Sequence, residues 1–117
     1  MPLVSVFTSA PPPPADAQKA LLADLSKLLA TRFQKPERWV MTCLCPDLAM
    51  TFGGTSGPAA FVAVKNVGKM TADNTSALSA ALCDRLSSAL GVARDRIYVE
   101  FTDAVGYLWG WNGETFG

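Results

Sequence analysis

At 117 residues and 12.4 kDa the chain has room for one hydrophobic core, so a second catalytic domain is not expected. Lys plus Arg and Asp plus Glu both number 10 and no basic run breaks that balance, which argues against DNA or RNA as a partner. Half of the residues are hydrophobic and only 17% are charged, an excess of apolar surface for a monomer of this size that predicts burial in an oligomer.

Residues 3–8, LVSVFT, alternate between apolar and small polar positions and predict a strand almost at the terminus. Pro11 to Pro14 prohibit a regular strand and stiffen the connection to a helix over 16–32, where Leu21, Leu22, Leu25, Leu28 and Leu29 recur at helical spacing. Pro36 marks the turn after it. Trp39 to Cys45 reads as a second strand, broken by Pro46 and Asp47. The segment from Met50 to Ala59 is rich in turn residues. Ala59 to Val67 follows as a continuous apolar strand whose density predicts burial on both faces. Asp73, Asn74 and Thr75 offer cap oxygens for a second helix carrying Leu78, Leu82, Leu86 and Leu90, with Gly91 placed to end it in a left-handed conformation. Arg96 to Thr102 predicts another strand, and Tyr107 to Trp111 a short one before the tail.

Ala15-Asp16, Ala20, Leu21 and Leu25 fall 57 positions before Ala72-Asp73, Ala77, Leu78 and Leu82, and each helix is followed by a strand bearing an aromatic residue, Trp39 or Tyr98. Two pseudo-repeats over about 2–58 and 59–117 within one domain are the simplest reading. A strand–helix–strand unit with parallel strands needs its helix as the crossover. The expected fold is therefore α+β, with duplicated β-α-β units building one four-stranded mixed sheet and both helices on one face. The opposite face is left bare and apolar, to be covered by further copies of the chain.

No run of 18 or more apolar residues and no charged leader with a cleavage site are visible, so no membrane span is expected and a cytoplasmic location is the default. Histidine is absent, which removes every His-based triad and makes most zinc sites implausible. Cys43, Cys45 and Cys83 form an odd set, read as ordinary thiols in a reducing compartment. Gly53 to Gly57 lacks the Lys and the following helix of a phosphate loop.

The chemistry that remains begins at Pro2. Loss of Met1 before so small a residue leaves a secondary amine at the start of a strand, and an apolar wall with a nearby cation would lower its pKa enough to make it a general base. Lys35, with Arg38 close by, is a candidate cation for a substrate carboxylate, although a solvated charge at a helix end has the same local signature. Tyr98 could donate to a carbonyl or simply pack in a strand. Trp109, Trp111 and Phe116 lie within eight residues and suit either a pocket for an aryl group or packing between subunits.

These residues occur in an order that resembles the macrophage migration inhibitory factor and D-dopachrome tautomerase family over essentially the whole chain. The markers are M-P at the start, K-P at 35–36, P-D at 46–47, M-x-F-G-G-x-S at 50–56, V-G-K at 67–69, D-R-I-Y-V at 95–99 and W-N-G-x-T-F-G at 111–117. The resemblance implies a homotrimer with active sites at the subunit boundaries and keto–enol tautomerisation of phenylpyruvate-like or dopachrome-like acids, without metal or organic cofactor. It implies that Pro2 is the catalytic base, that Lys35 binds the carboxylate, that Asn66 and Val67 contribute backbone or wall, that a partner chain brings Tyr98, and that Trp109 and Phe116 line the apolar end. Trp39, Glu100 and Trp111 are expected at the pocket wall.

Several positions depart from the pattern. Where vertebrate members carry C-x-x-C this chain has Ala59-Ala60-Phe61-Val62, which removes support for a thiol–disulfide activity, and Glu100 replaces an Asn common in animal relatives. A noncatalytic signalling or interaction protein, and a dehalogenase or decarboxylase using the same proline, stay open as rival readings. So do export by a non-classical route and a receptor.

Overall fold

The computed structural model describes residues 1–117. Strand β1 (Leu3–Thr8) leads into helix α1 (Ala15–Phe33), a 3-10 turn (Glu37–Trp39) and β2 (Met41–Cys45). Strand β3 (Ala60–Val67), helix α2 (Ala72–Leu90), a 3-10 turn (Arg94–Arg96) and β4 (Ile97–Ala104) follow in the same order. A 3-10 turn (Gly106–Leu108) then precedes a small hairpin of β5 (Gly110–Trp111) and β6 (Glu114–Thr115). The main sheet runs β2-β1-β3-β4, parallel within β1–β2 and β3–β4 and antiparallel between β1 and β3. This is the four-stranded mixed sheet with two crossover helices that the apolar spacing predicted.

The core lies between helices and sheet. Val4 and Val6 of β1 and Val62 and Val64 of β3 meet Leu25 and Leu29 of α1 and Leu78, Leu82 and Leu86 of α2, all fully buried. Each contributes about 1.5–3 kcal/mol by leaving water. Thr8, also fully buried, donates from Oγ1 to Ala59 O at 2.8 Å and accepts from Ala10 N at 3.1 Å, satisfying the backbone where β1 gives way to the proline run. No helix is long and apolar enough to cross a membrane.

Four local expectations are corrected. Strand β3 alternates between buried and more open positions instead of being buried on both faces, because Phe61, Ala63 and Lys65 point away from the helices. The uncovered sheet face is mixed, with Lys65, Glu100 and Thr102 exposed beside the stacked pair Phe7–Phe61. Helix α2 is capped by Thr71, whose Oγ1 accepts from Asn74 N at 3.1 Å; Asp73, Asn74 and Thr75 already lie inside the helix. Trp39 belongs to the 3-10 turn before β2, and Tyr107 to the one before β5, since Asn112 and Gly113 adopt the two left-handed conformations of a tight hairpin turn and set the strand pairing from there.

The glycine-rich segment is a turn as well. Phe52 and Thr55 exchange backbone hydrogen bonds around Gly53 and Gly54, both at positive φ. Arg96 holds it: its guanidinium donates to the carbonyls of Phe52, Thr55, Gly57 and Pro58 and to Thr55 Oγ1, at 2.7–3.3 Å, and lies 5.5 Å from the centroid of the Phe52 ring. Arg96→Lys is expected to lower unfolding stability by about 1–3 kcal/mol, because an ammonium cannot match five donors in a planar fork. Urea unfolding with an unchanged midpoint would show that the contacts are dispensable.

Candidate active site

Helix α1 ends where Gln34 takes a left-handed conformation and the amides of Gln34 and Lys35 return to the carbonyls of Thr31 and Ala30. That cap turns the chain sharply and sends Lys35 toward the end of β3, where Nζ donates to Val67 O at 3.2 Å. Gly68 ends β3 with a φ of 124°, and a Cβ placed there would stand 3.8 Å from Asn66 Nδ2 and 4.0 Å from Lys35 Nζ. Lys35 and Asn66 therefore flank the same point.

Pro2 arrives from the other side. Its ring is fully buried and its carbonyl accepts from Met41 N at 3.0 Å, which fixes the start of β1 against β2. Because Leu3 pairs with Lys65 in the antiparallel register, Pro2 stands across from Asn66, one position beyond the last pair. The parallel crossover through α1 and the antiparallel β1–β3 pair thus bring residues 2, 35 and 66 to one end of the sheet.

A cavity of about 140 Å³ opens beside Pro2, lined also by Met1, Trp39, Met41, Trp109, Trp111 and Phe116. Its aromatic wall is mutually packed. Trp39 meets Trp111 edge-on at 4.8 Å between centroids and Phe116 at 6.0 Å, and Arg38 sits 5.5 Å from the Trp39 ring. The tail is held in place by Phe116 N, which donates to the carbonyls of Gly106 and Trp109. Gly106 is required for that approach, since a Cβ there would lie 2.7 Å from Phe116 O.

The electrostatics favour a neutral amine. Burial first, and then the positive charge of Lys35, hold the terminal amine of the chain below its ordinary pKa. In the full chain that amine is on Met1. When Met1 is removed, the Pro2 nitrogen becomes the terminal group beside the same cation.

Five expected site residues do not line this cavity within one chain: Lys35 and Asn66 line a separate polar cavity, Val67 lines neither, and Tyr98 and Glu100 lie elsewhere. Tyr98 pairs with Phe61 and, through it, with Phe7 of β1, five residues along from Pro2 and two strands away. At about 3.3 Å per residue and about 4.8 Å per strand, the two are roughly 20 Å apart. Tyr98 instead packs against Phe52, with centroids 4.8 Å apart, and remains 65% exposed. Glu100, two residues further along β4, is also exposed and lines no cavity. Val67 meets Lys35 Nζ through its carbonyl. Sequence reading missed Met41, which reaches the cavity from an edge strand, and the polar group formed by Arg32, Gln34, Lys69 and Asn74 next to Lys35. K-P and V-G-K were visible as separate motifs, but no local pattern signals that they meet.

The family described as Macrophage migration inhibitory factor (MIF) matches residues 1–117. The macrophage migration inhibitory factor of Rattus norvegicus is 34% identical over 116 residues, 99% of each chain, and that of Xenopus tropicalis 35% identical over 96 residues, 82% of this chain and 84% of its own. Among solved structures, the macrophage migration inhibitory factor homologue from Prochlorococcus marinus superposes with a TM-score of 0.93 at 42% identity, covering 98% of this chain and 99% of its own. The protein from Toxoplasma gondii gives 0.91 at 34% identity, covering 97% and 99%.

Proposed function

The chain belongs to the macrophage migration inhibitory factor family, and from that premise we propose that it is a keto–enol tautomerase of aromatic 2-oxo acids with Pro2 as its general base. The observation that carries this reading is Pro2 on the lining of a cavity walled by Trp39, Trp111 and Phe116, next to the Met1 amine, which burial and then Lys35 hold below its ordinary pKa. A cavity of about 150 Å³ accommodates one benzene ring. The apolar wall therefore suits an aryl group, and Lys35, which lines a separate polar cavity with Asn66 at the same end of the sheet, is assigned its carboxylate.

In the reaction the Pro2 nitrogen takes a proton from the carbon next to the carbonyl, the electron pair moves into a C–C double bond, and charge develops on the carbonyl oxygen. Return of a proton to that oxygen gives the enol; the reverse path gives the ketone. Lys35 fixes the carboxylate so that the C–H bond faces the nitrogen, and neighbouring donors stabilise the oxygen charge. The proline ring limits the directions of the lone pair, which lowers the entropy lost on reaching the reactive geometry. No metal or organic cofactor enters. We place Tyr98 in the site of a neighbouring subunit of a homotrimer, since it is too far from Pro2 of its own chain; Trp109 stays at the apolar end.

The test is turnover of phenylpyruvate by protein whose intact mass shows Met1 removed. Measurable tautomerisation is expected, with kcat/KM rising with pH because the neutral amine is the active form, and with an inflection below the usual α-amine value of about 8. A folded, processed protein that leaves phenylpyruvate untouched would eliminate the enzyme reading in favour of a noncatalytic interaction protein.

A further inference from the structure

Strand β2 carries sulfur at every second position. Met41, Cys43 and Cys45 alternate with Thr42 and Leu44, and in the parallel register they stand beside Leu3, Ser5 and Phe7 of β1. Leu44 packs against the core, and Val4 and Val6 of β1 are fully buried beneath the helices, so the three sulfur residues share the opposite face of the sheet. Apart from Met41, which also lines the cavity beside Pro2, the tautomerase reading uses none of them.

The two thiols stand as far apart as two ligands of one metal ion. Cys43 Sγ and Cys45 Sγ are 3.8 Å apart, and both residues are free and half-buried. Metal–sulfur bonds of about 2.3 Å, the zinc value, would close that gap at an angle of about 110°, which leaves the metal open to a third ligand. A disulfide is the competing use of such a pair. Positions i and i+2 of a strand set the Cα atoms about 6.6–6.8 Å apart, at the upper end of what a disulfide spans, so the strand disfavours that bridge. Met41 offers the third sulfur: it lies one position back on the same face, it is 65% exposed, and its three rotatable bonds let the thioether swing toward Cys43.

The donor set selects the metal. Structural zinc takes four ligands, and no group of three or more His, Cys, Asp or Glu residues converges anywhere in the molecule. Thiolate and thioether sulfur are soft donors that select copper(I), which is content with two or three of them. We propose that Met41, Cys43 and Cys45 form a site for one Cu(I) per chain, with the two thiolates as principal ligands and the thioether as the third. Binding displaces the two thiol protons and forms two copper–thiolate bonds. No electron is transferred, because the copper arrives and stays as Cu(I).

Anaerobic titration of the intact, assembled protein with Cu(I), buffered by the chelator bathocuproine disulfonate, tests this without any activity assay. One Cu(I) per chain is expected, with thiolate-to-copper charge transfer in the ultraviolet and an unchanged assembly by light scattering, and an excess of Zn(II) should not displace it. Cys43→Ser and Cys45→Ser should each weaken Cu(I) by at least about 100-fold and Met41→Leu by about 10-fold, the two ends of what loss of a supporting group costs a metal site. Cys83→Ser, on α2, should leave binding unchanged. Alkylation of the unmutated protein covers a variant that fails to fold: bound Cu(I) should protect Cys43 and Cys45 from iodoacetamide and leave Cys83 as reactive as before, read by peptide mass mapping. Affinity unchanged in Cys43→Ser or Cys45→Ser, protection of Cys83 alone, tighter binding of Zn(II), or copper uptake only as the assembly dissociates overturns the site. Affinity unchanged in Met41→Leu overturns the role of the thioether.

Discussion

Pro2→Gly is expected to lower kcat/KM for phenylpyruvate by about 10²–10⁴-fold, the range spanned by a positioned general base. Glycine keeps a terminal amine after Met1 removal, so the variant alters how that amine is held and not whether one exists. Two losses combine. The fully buried ring on the cavity lining disappears, and the nitrogen gains rotational freedom that must be lost again at each turnover. The backbone anchor, Met41 N to the residue 2 carbonyl at 3.0 Å, remains available, so oligomer content and melting temperature should change little. Kinetics on processed Pro2→Gly protein, with its assembly state checked by light scattering, decide the matter; undiminished activity would remove Pro2 from the chemistry. Retaining Met1 in front of Pro2 should be equally damaging, because an amide nitrogen has no basic lone pair and Met1 itself occupies the cavity wall.

Lys35→Ala should cost about 10–100-fold in kcat/KM, the value of a charge-assisted hydrogen bond to a carboxylate. The pH profile separates this role from a structural one. Lys35 is the second cause, after burial, of the lowered Met1 amine, and the Pro2 amine exposed by loss of Met1 is expected to feel the same charge. Removing its charge raises the amine pKa, so the rise of kcat/KM with pH moves to higher pH, while burial still holds the inflection below that of an exposed amine. Lys35→Gln should behave like the alanine variant, and Lys35→Arg should restore the position of the inflection. If Lys35 served only to donate to Val67 O, at 3.2 Å, the variants would shift stability and leave the inflection where it was.

The sequence by itself determined the elements and the chemical inventory. Leucine spacing located α1 to within a residue of Ala15–Phe33 and the end of α2 at Leu90, while the start of α2 was set two to four residues late; an amphipathic face is a purely local signal. The four strands of the main sheet were found to within two residues, β5 was set three residues early and β6 was not foreseen; the absence of histidine narrowed acid–base chemistry to a handful of groups, Pro2 and Lys35 among them. Caps and turns were less legible: Thr71 in place of Asp73, Asn74 or Thr75, and a 3-10 turn at Trp39 in place of strand, are decided by a single backbone dihedral, which neighbouring residue types bias only weakly.

The tertiary structure alone decided which of those groups meet. Pro2 faces Asn66 because β1 and β3 pair antiparallel in one register, and a one-residue slip would turn Asn66 to the other face of the sheet. Lys35 reaches the end of β3 beside Asn66 through a helix cap, and Arg32 and Lys69 join it from positions 37 residues apart in sequence. Tyr98 and Glu100 are kept from Pro2 by two strand spacings and the length of β1. Arg96, unremarkable in the sequence, holds a turn some 40 residues away through four backbone carbonyls. Contacts of that kind depend on long-range chain closure, and no periodicity or composition records them, because backbone carbonyls are the same at every position.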